Sequence, residues 1–88
     1  MKRVRVVVHG HVQGVGFRWS VRSEASRCEL GGWVRNRPDG TLEAAFEGEP
    51  GAVGRLVSFC ERGPRGAGVE RVETHEEEPE GESGFEVR

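Results

Sequence analysis

The 88-residue chain almost lacks side-chain amides: Gln13 is its only glutamine and Asn36 its only asparagine. Tyrosine is absent, and Lys2 is the single lysine in a total of 13 Lys and Arg. Depletion of amides fits a heat-adapted source, because these side chains are thermolabile. It also singles out the two amides that remain. No apolar run approaches the roughly 18 residues of a membrane-spanning helix. Met1 leads within three residues into an alternating valine pattern instead of a secretory signal, so a cytoplasmic protein is expected. The two cysteines, Cys28 and Cys60, fall on apolar helical positions, where reduced core thiols are expected, neither a disulfide nor a nucleophile.

Other absences narrow the chemistry. The glycine-rich run lacks the Gly-Lys-Ser/Thr of a P-loop and the third glycine of a dinucleotide fingerprint, which disfavours nucleotides. His9 and His11 share one face of a strand end, but no carboxylate or cysteine pattern accompanies them, so neither a metal nor another cofactor is expected. An aromatic-rich Lys/Arg-Gly-Phe signature is missing as well, which argues against an RNA-binding sheet face. The net charge of -2 conceals polarity: positively charged residues crowd the first 38 positions and glutamates the last 19. A near-neutral total with an acidic tail argues against a long polyanion and leaves a local anion site.

What is present reads as one small domain over residues 1–88, with room for a single core and a shallow site. Val4, Val6 and Val8 alternate with Arg3, Arg5 and Val7, a period-2 strand. Glycines 10, 14 and 16 then interrupt, and Phe17, Val21, Ala25 and Cys28 recur at helical spacing until Gly31 and Gly32. Trp33 and Val34 open a second strand, Pro38-Asp39-Gly40 marks a turn, and Leu42, Ala44 and Phe46 alternate beyond it. Glu49-Pro50 starts a second helix with the stripe Val53, Leu56, Val57 and Cys60, ended by Gly63-Pro64. Val69 to His75 predicts a fourth strand and Phe85 with Val87 a short closing one, after a solvated Glu-rich connection. With right-handed crossovers this βαββαβ order predicts an α+β, ferredoxin-like two-layer sandwich, an antiparallel sheet with two helices on one face.

Two segments look chemical. Gly10-His11-Val12-Gln13-Gly14-Val15-Gly16-Phe17-Arg18 joins a strand to a helix N-terminus. Glycines let successive backbone N–H groups converge, the helix start adds orphan donors and a positive dipole end, and Arg18 adds a planar fork for phosphate oxygens. The same residues also fit a tight turn followed by a solvated helix arginine. Gly32-Trp33-Val34-Arg35-Asn36-Arg37-Pro38-Asp39-Gly40-Thr41 carries Asn36, which can donate and accept, near the end of the second strand. An asparagine favouring the turn before Pro38 is the alternative.

The runs GHVQGVGFR and GWVRNRPDG, about a fifth of the chain, resemble the two signature segments of the acylphosphatase family. Length and element order resemble that family over the whole sequence. The resemblance implies the ferredoxin-like fold, hydrolysis of the carboxyl-phosphate bond of small acyl phosphates, and a monomer without nucleic-acid or membrane partners. It makes Arg18 the phosphate-binding catalytic arginine and Asn36 the residue that positions the attacking water, with Gln13, Gly14, Val15, Gly16 and Phe17 supplying loop N–H groups. His11 occupies a variable place of the motif and is not expected to be catalytic. A non-catalytic anion-binding module, including the acylphosphatase-like module of larger carbamoyl-transferring proteins, and an RNA-binding ferredoxin-like module are the alternatives.

Overall fold

A computed structural model describes residues 1–88. Its elements follow the alternations and stripes of the sequence: β1 (Lys2–His11), α1 (Phe17–Arg27), β2 (Gly31–Asn36), β3 (Leu42–Gly48), α2 (Pro50–Arg62), β4 (Gly68–Glu77) and β5 (Phe85–Val87). The strands form one sheet in the order β4-β1-β3-β2-β5. Val4, Val6 and Val8 of β1 point with Leu42, Ala44 and Phe46 of β3 and Val34 of β2 into the core under the helices. There they meet Phe17, Val21 and Ala25 of α1 and Val53, Leu56 and Cys60 of α2. The helices close one face because each carries a single apolar stripe. Glu49 caps α2 by accepting from the N–H groups of Gly51 and Ala52, both at 3.0 Å, which the Glu-Pro start foreshadows.

One feature of the sheet departs from the sequence expectation. β1, β3, β2 and β4 pair antiparallel, but β5 pairs parallel to β2, placing Phe85 opposite Gly32 and Val87 opposite Val34. The sheet is therefore mixed, with β4 on one edge and β5 on the other. The connection from Glu78 to Gly84 must cross beneath the start of β1 and the end of β3, and it enters β5 from the end at which β2 begins.

That connection is largely exposed, as a solvated run should be, and its backbone is in addition fastened by a buried carboxylate. Glu47, only 1% exposed, accepts from the backbone N–H groups of Glu80 (2.7 Å), Gly81 (2.7 Å) and Glu82 (3.0 Å). Arg3, 3% exposed, donates to Glu47 (3.1 Å), Glu77 (3.1 Å) and Glu82 (2.6 Å). Burial works against the charged guanidinium, but these bonds outweigh it and raise its pKa. The Glu80 N–H leads the groups that hold the Glu47 carboxyl below its ordinary pKa, and Arg5 does the same for Glu77. The rest of this open face continues the pattern, with Glu43 accepting from Arg5 (3.1 Å) and Arg35 (2.7 Å).

Removing one partner of a buried, hydrogen-bonded pair strands the other, so Glu47→Ala should destabilise the protein by about 3 kcal/mol, read by denaturant unfolding. The sign with pH follows from the depressed carboxyl pKa values. Their contribution is complete above the unfolded-state value near ~4 and disappears as the pH falls through the lower folded-state values. Stability of the native chain should therefore fall steeply with acidification below about pH 4, and the Glu47→Gln variant should fall less steeply. Identical acid limbs would contradict this account of the buried pair.

Candidate active site

The loop after β1 is built by backbone conformation. The register of β1 against β4 shifts between His9 and Gly10, where Gly10 has φ 130°. A Cβ there would stand 2.1 Å from the Gly68 carbonyl oxygen, so only glycine allows this approach. Val12, buried, pins the loop to the core, and Gly14 and Gly16 both take left-handed conformations at φ 75°. Gly16 is the N-cap of α1 and has no side chain to offer the helix. The first backbone bond into the helix runs from Ser20 N–H to Gly16 O at 3.1 Å, so the preceding N–H groups of the first turn lack helical acceptors. No acidic residue lies in that turn to oppose the positive dipole end.

Arg18 stands in the same turn, half-buried, and its Nη1 donates to the main-chain oxygen of Arg88 at 3.0 Å. Asn36 is the last residue of β2, opposite Leu42 of β3. Its Oδ1 is buried and without a hydrogen-bond partner. Buried carbonyl oxygens are ordinarily satisfied, so this one stands out among the polar atoms of the protein. Val12, Gly14, Gly16, Phe17, Arg18, Trp19 and Asn36 line one cavity of about 200 Å³. That volume exceeds the ~30 Å³ share of a water molecule several-fold, which leaves room for a phosphoryl group and a water.

Of the residues singled out in the sequence, Gly14, Gly16, Phe17, Arg18 and Asn36 meet at this cavity, whereas Gln13 and Val15 do not line it. Val15 packs against the core. Gln13 reaches across to the β2–β3 turn, donating from Nε2 to the carbonyl oxygens of Arg37 (2.7 Å) and Thr41 (3.0 Å). That turn is closed from the other side by Asp39, which accepts from Thr41 Oγ1 (2.6 Å) and Thr41 N–H (3.0 Å); the same two bonds depress its carboxyl pKa. The lone glutamine thus couples the glycine loop to the hairpin that carries Asn36. The Arg88 main-chain oxygen is an addition that motif reading did not supply, and Trp19, which directly follows the first motif, joins the lining. The bond from Arg18 spans 70 positions and involves only main chain at its far end, which leaves no sequence signal.

The remaining candidates lie elsewhere. His11 is exposed, and His9 is hydrogen-bonded to Glu73, which holds the Glu73 carboxyl below its ordinary pKa. No three His, Cys, Asp or Glu side chains converge in a group able to hold a metal ion. Burial pushes the Cys60 thiol up to about 12, unfit for a nucleophile, and neither cysteine is in a disulfide.

Comparison with known proteins converges on one family. The acylphosphatase family profile matches residues 4–87. The chain is 59% identical to an acylphosphatase of Rubrobacter xylanophilus over 88 residues, covering 99% of this chain and 80% of the relative. It is 54% identical to an acylphosphatase of Thermococcus kodakarensis, covering 99% and 98% respectively. Among solved structures it is similar to the acylphosphatase from Bacillus subtilis, with a TM-score of 0.96 at 37% identity, covering 100% of this chain and 99% of the other. It also matches full-length HypF in a phosphate- and nucleotide-bound form, at TM-score 0.91 and 26% identity, over 99% of this chain but 12% of that one.

An uncapped helix start and a guanidinium around one cavity suit a tetrahedral oxyanion. Inorganic phosphate should raise the melting temperature of the native chain, by an amount corresponding to about 2.7 kcal/mol at a concentration 100 times Kd. Arg18→Ala should weaken phosphate at least about tenfold, the worth of one charge-assisted hydrogen bond. An unchanged phosphate affinity in that variant would place the anion elsewhere.

Proposed function

This chain belongs to the acylphosphatase family and, as an enzyme of that family, hydrolyses acyl phosphates; we propose that Arg18 and the glycine-loop N–H groups hold the phosphoryl group while Asn36 orients the attacking water. The observation that carries this reading is that Asn36, whose Oδ1 is buried and unpartnered, lines the cavity it shares with Arg18 and the uncapped start of α1.

The physics of the reaction fits so sparse a site. The leaving group is a carboxylate whose conjugate acid has a pKa near ~4, so the departing oxygen needs no protonation. What remains is to set water in line with the phosphorus–oxygen bond and to neutralise charge on the non-bridging oxygens. Asn36 Oδ1 accepts a hydrogen bond from the water and aims its lone pair at phosphorus. As the new P–O bond forms, the bond to the acyl oxygen breaks and its electron pair leaves with the carboxylate. The proton released by the water passes to a phosphate oxygen, and Arg18 with the helix N–H groups stabilises the equatorial oxygens throughout. No step calls for a metal or another cofactor.

The substrate is a small acyl phosphate, and the functional unit we propose is a cytoplasmic monomer that engages neither membrane nor nucleic acid. No helix of the structure is long and apolar enough to cross a membrane. On the open sheet face, where an RNA-binding module stacks bases on aromatic rings, Arg3, Arg5 and Arg35 are each engaged by carboxylates. Trp33 there lies under the guanidinium groups of Arg35 and Arg88.

The native protein should hydrolyse benzoyl phosphate in the presence of EDTA. Arg18→Ala and Asn36→Ala, checked for folding by circular dichroism, should each lose at least about 10²-fold in kcat/KM, the range for removal of a preorganised transition-state partner. Full activity in either variant would reassign that role, and absence of turnover by the folded native chain would leave a phosphate-binding domain only.

A further inference from the structure

Trp19 is a costly residue for a small protein to place where it does. It is 60% exposed, and Met1 is the only other large hydrophobic so open to solvent. It contributes nothing to the apolar stripe of α1, whose buried residues are Phe17, Val21 and Ala25. The other indole, Trp33, is covered by two guanidinium groups, whereas neither an aromatic ring nor a guanidinium covers Trp19. Yet Trp19 lines the cavity that Arg18 and Asn36 share.

The geometry of in-line displacement says what such a ring meets. The attacking and leaving oxygens lie on opposite sides of phosphorus. With the water oriented by Asn36, as proposed above, the acyl group departs from the side of phosphorus opposite Asn36 and leaves past the other residues that line the cavity. The two other apolar side chains of the cavity, Val12 and Phe17, are 1% and 2% exposed and present almost no surface. The two glycines of the lining present only backbone. An acyl group leaving the cavity therefore has one apolar surface to rest on, and that surface is an indole with a free face.

We propose that Trp19 is a specificity-determining residue of this enzyme, its indole receiving the acyl group and favouring acyl phosphates with aromatic or extended apolar acyl groups over acetyl phosphate. The inference rests on the reading of Arg18 and Asn36 given above. Ring packing of this kind adds contact energy along the whole reaction coordinate, so its loss appears mainly in KM and leaves kcat largely alone.

The test compares kcat/KM for benzoyl phosphate and acetyl phosphate in native, Trp19→Ala and Trp19→Phe proteins, together with inhibition by inorganic phosphate. Trp19→Ala should lower the benzoyl-to-acetyl ratio by about two- to tenfold, through KM for benzoyl phosphate, while the ratio in Trp19→Phe stays within about twofold of native. The phosphate inhibition constant should not change, since phosphate carries no acyl group. A ratio unaltered in Trp19→Ala, including a parallel loss on both substrates, would overturn the assignment and leave the Arg18 and Asn36 reading intact. Native protein that turns over neither substrate would overturn that reading, and this inference with it.

Discussion

The site exists because β3 takes β1 on one side and β2 on the other, both antiparallel. Two strands that each oppose a third must run the same way, so β1 and β2 finish at the same end of the sheet. The glycine loop that follows β1 and the asparagine that ends β2 are thereby brought together, although 20 or more positions separate them in the sequence. A slip of one residue in either pairing would turn Val4, Val6 and Val8 out of the core and invert every alternating side chain, so the hydrophobic pattern also holds the register. The precision of the cavity rests on that register and on Gln13, whose amide bridges the loop to the carbonyl oxygens of the Asn36 hairpin.

The opposite end of the sheet solves a different problem. A buried Arg3–Glu47 pair is weak evidence for net stability, because desolvating two charges offsets much of their attraction. Its role here is better read as specification. Glu47 spends its oxygens on the backbone of Glu80, Gly81 and Glu82 as well as on Arg3, which fixes the path by which the chain crosses to the far edge. β5 then has one direction available, parallel to β2, and the chain beyond it reaches the cavity end, where the Arg88 oxygen meets Arg18. Interactions at one end of the molecule thus place a hydrogen-bond acceptor for an arginine at the other.

Much of this was legible in the residues. Period-2 valines and helical stripes disclosed the elements, and the glycine-rich loop, Arg18 and Asn36 stood out by chemistry as well as by family resemblance. Alternation reports which face of a strand is buried and nothing about its neighbours, which is why the parallel pairing of β5 was not visible. The run of glutamates is as exposed as its charge implies, but its capture by Arg3 and Glu47 depends on contacts spanning 74 to 79 and 33 to 35 positions. Gln13 stands out for its rarity and its place in the loop, but the two carbonyl oxygens its side chain serves belong to a turn 24 and 28 positions away.

The central claim is that water held by Asn36 attacks phosphorus, with the anhydride cleaved on the phosphorus side of the bridging oxygen. Hydrolysis of benzoyl phosphate in water enriched in oxygen-18, with both products analysed by mass spectrometry, tests it most directly. Attack at phosphorus places one labelled oxygen in inorganic phosphate and none in benzoate. Label in benzoate would mean that water adds to the carbonyl carbon, and the roles given to Arg18 and Asn36 would then be wrong.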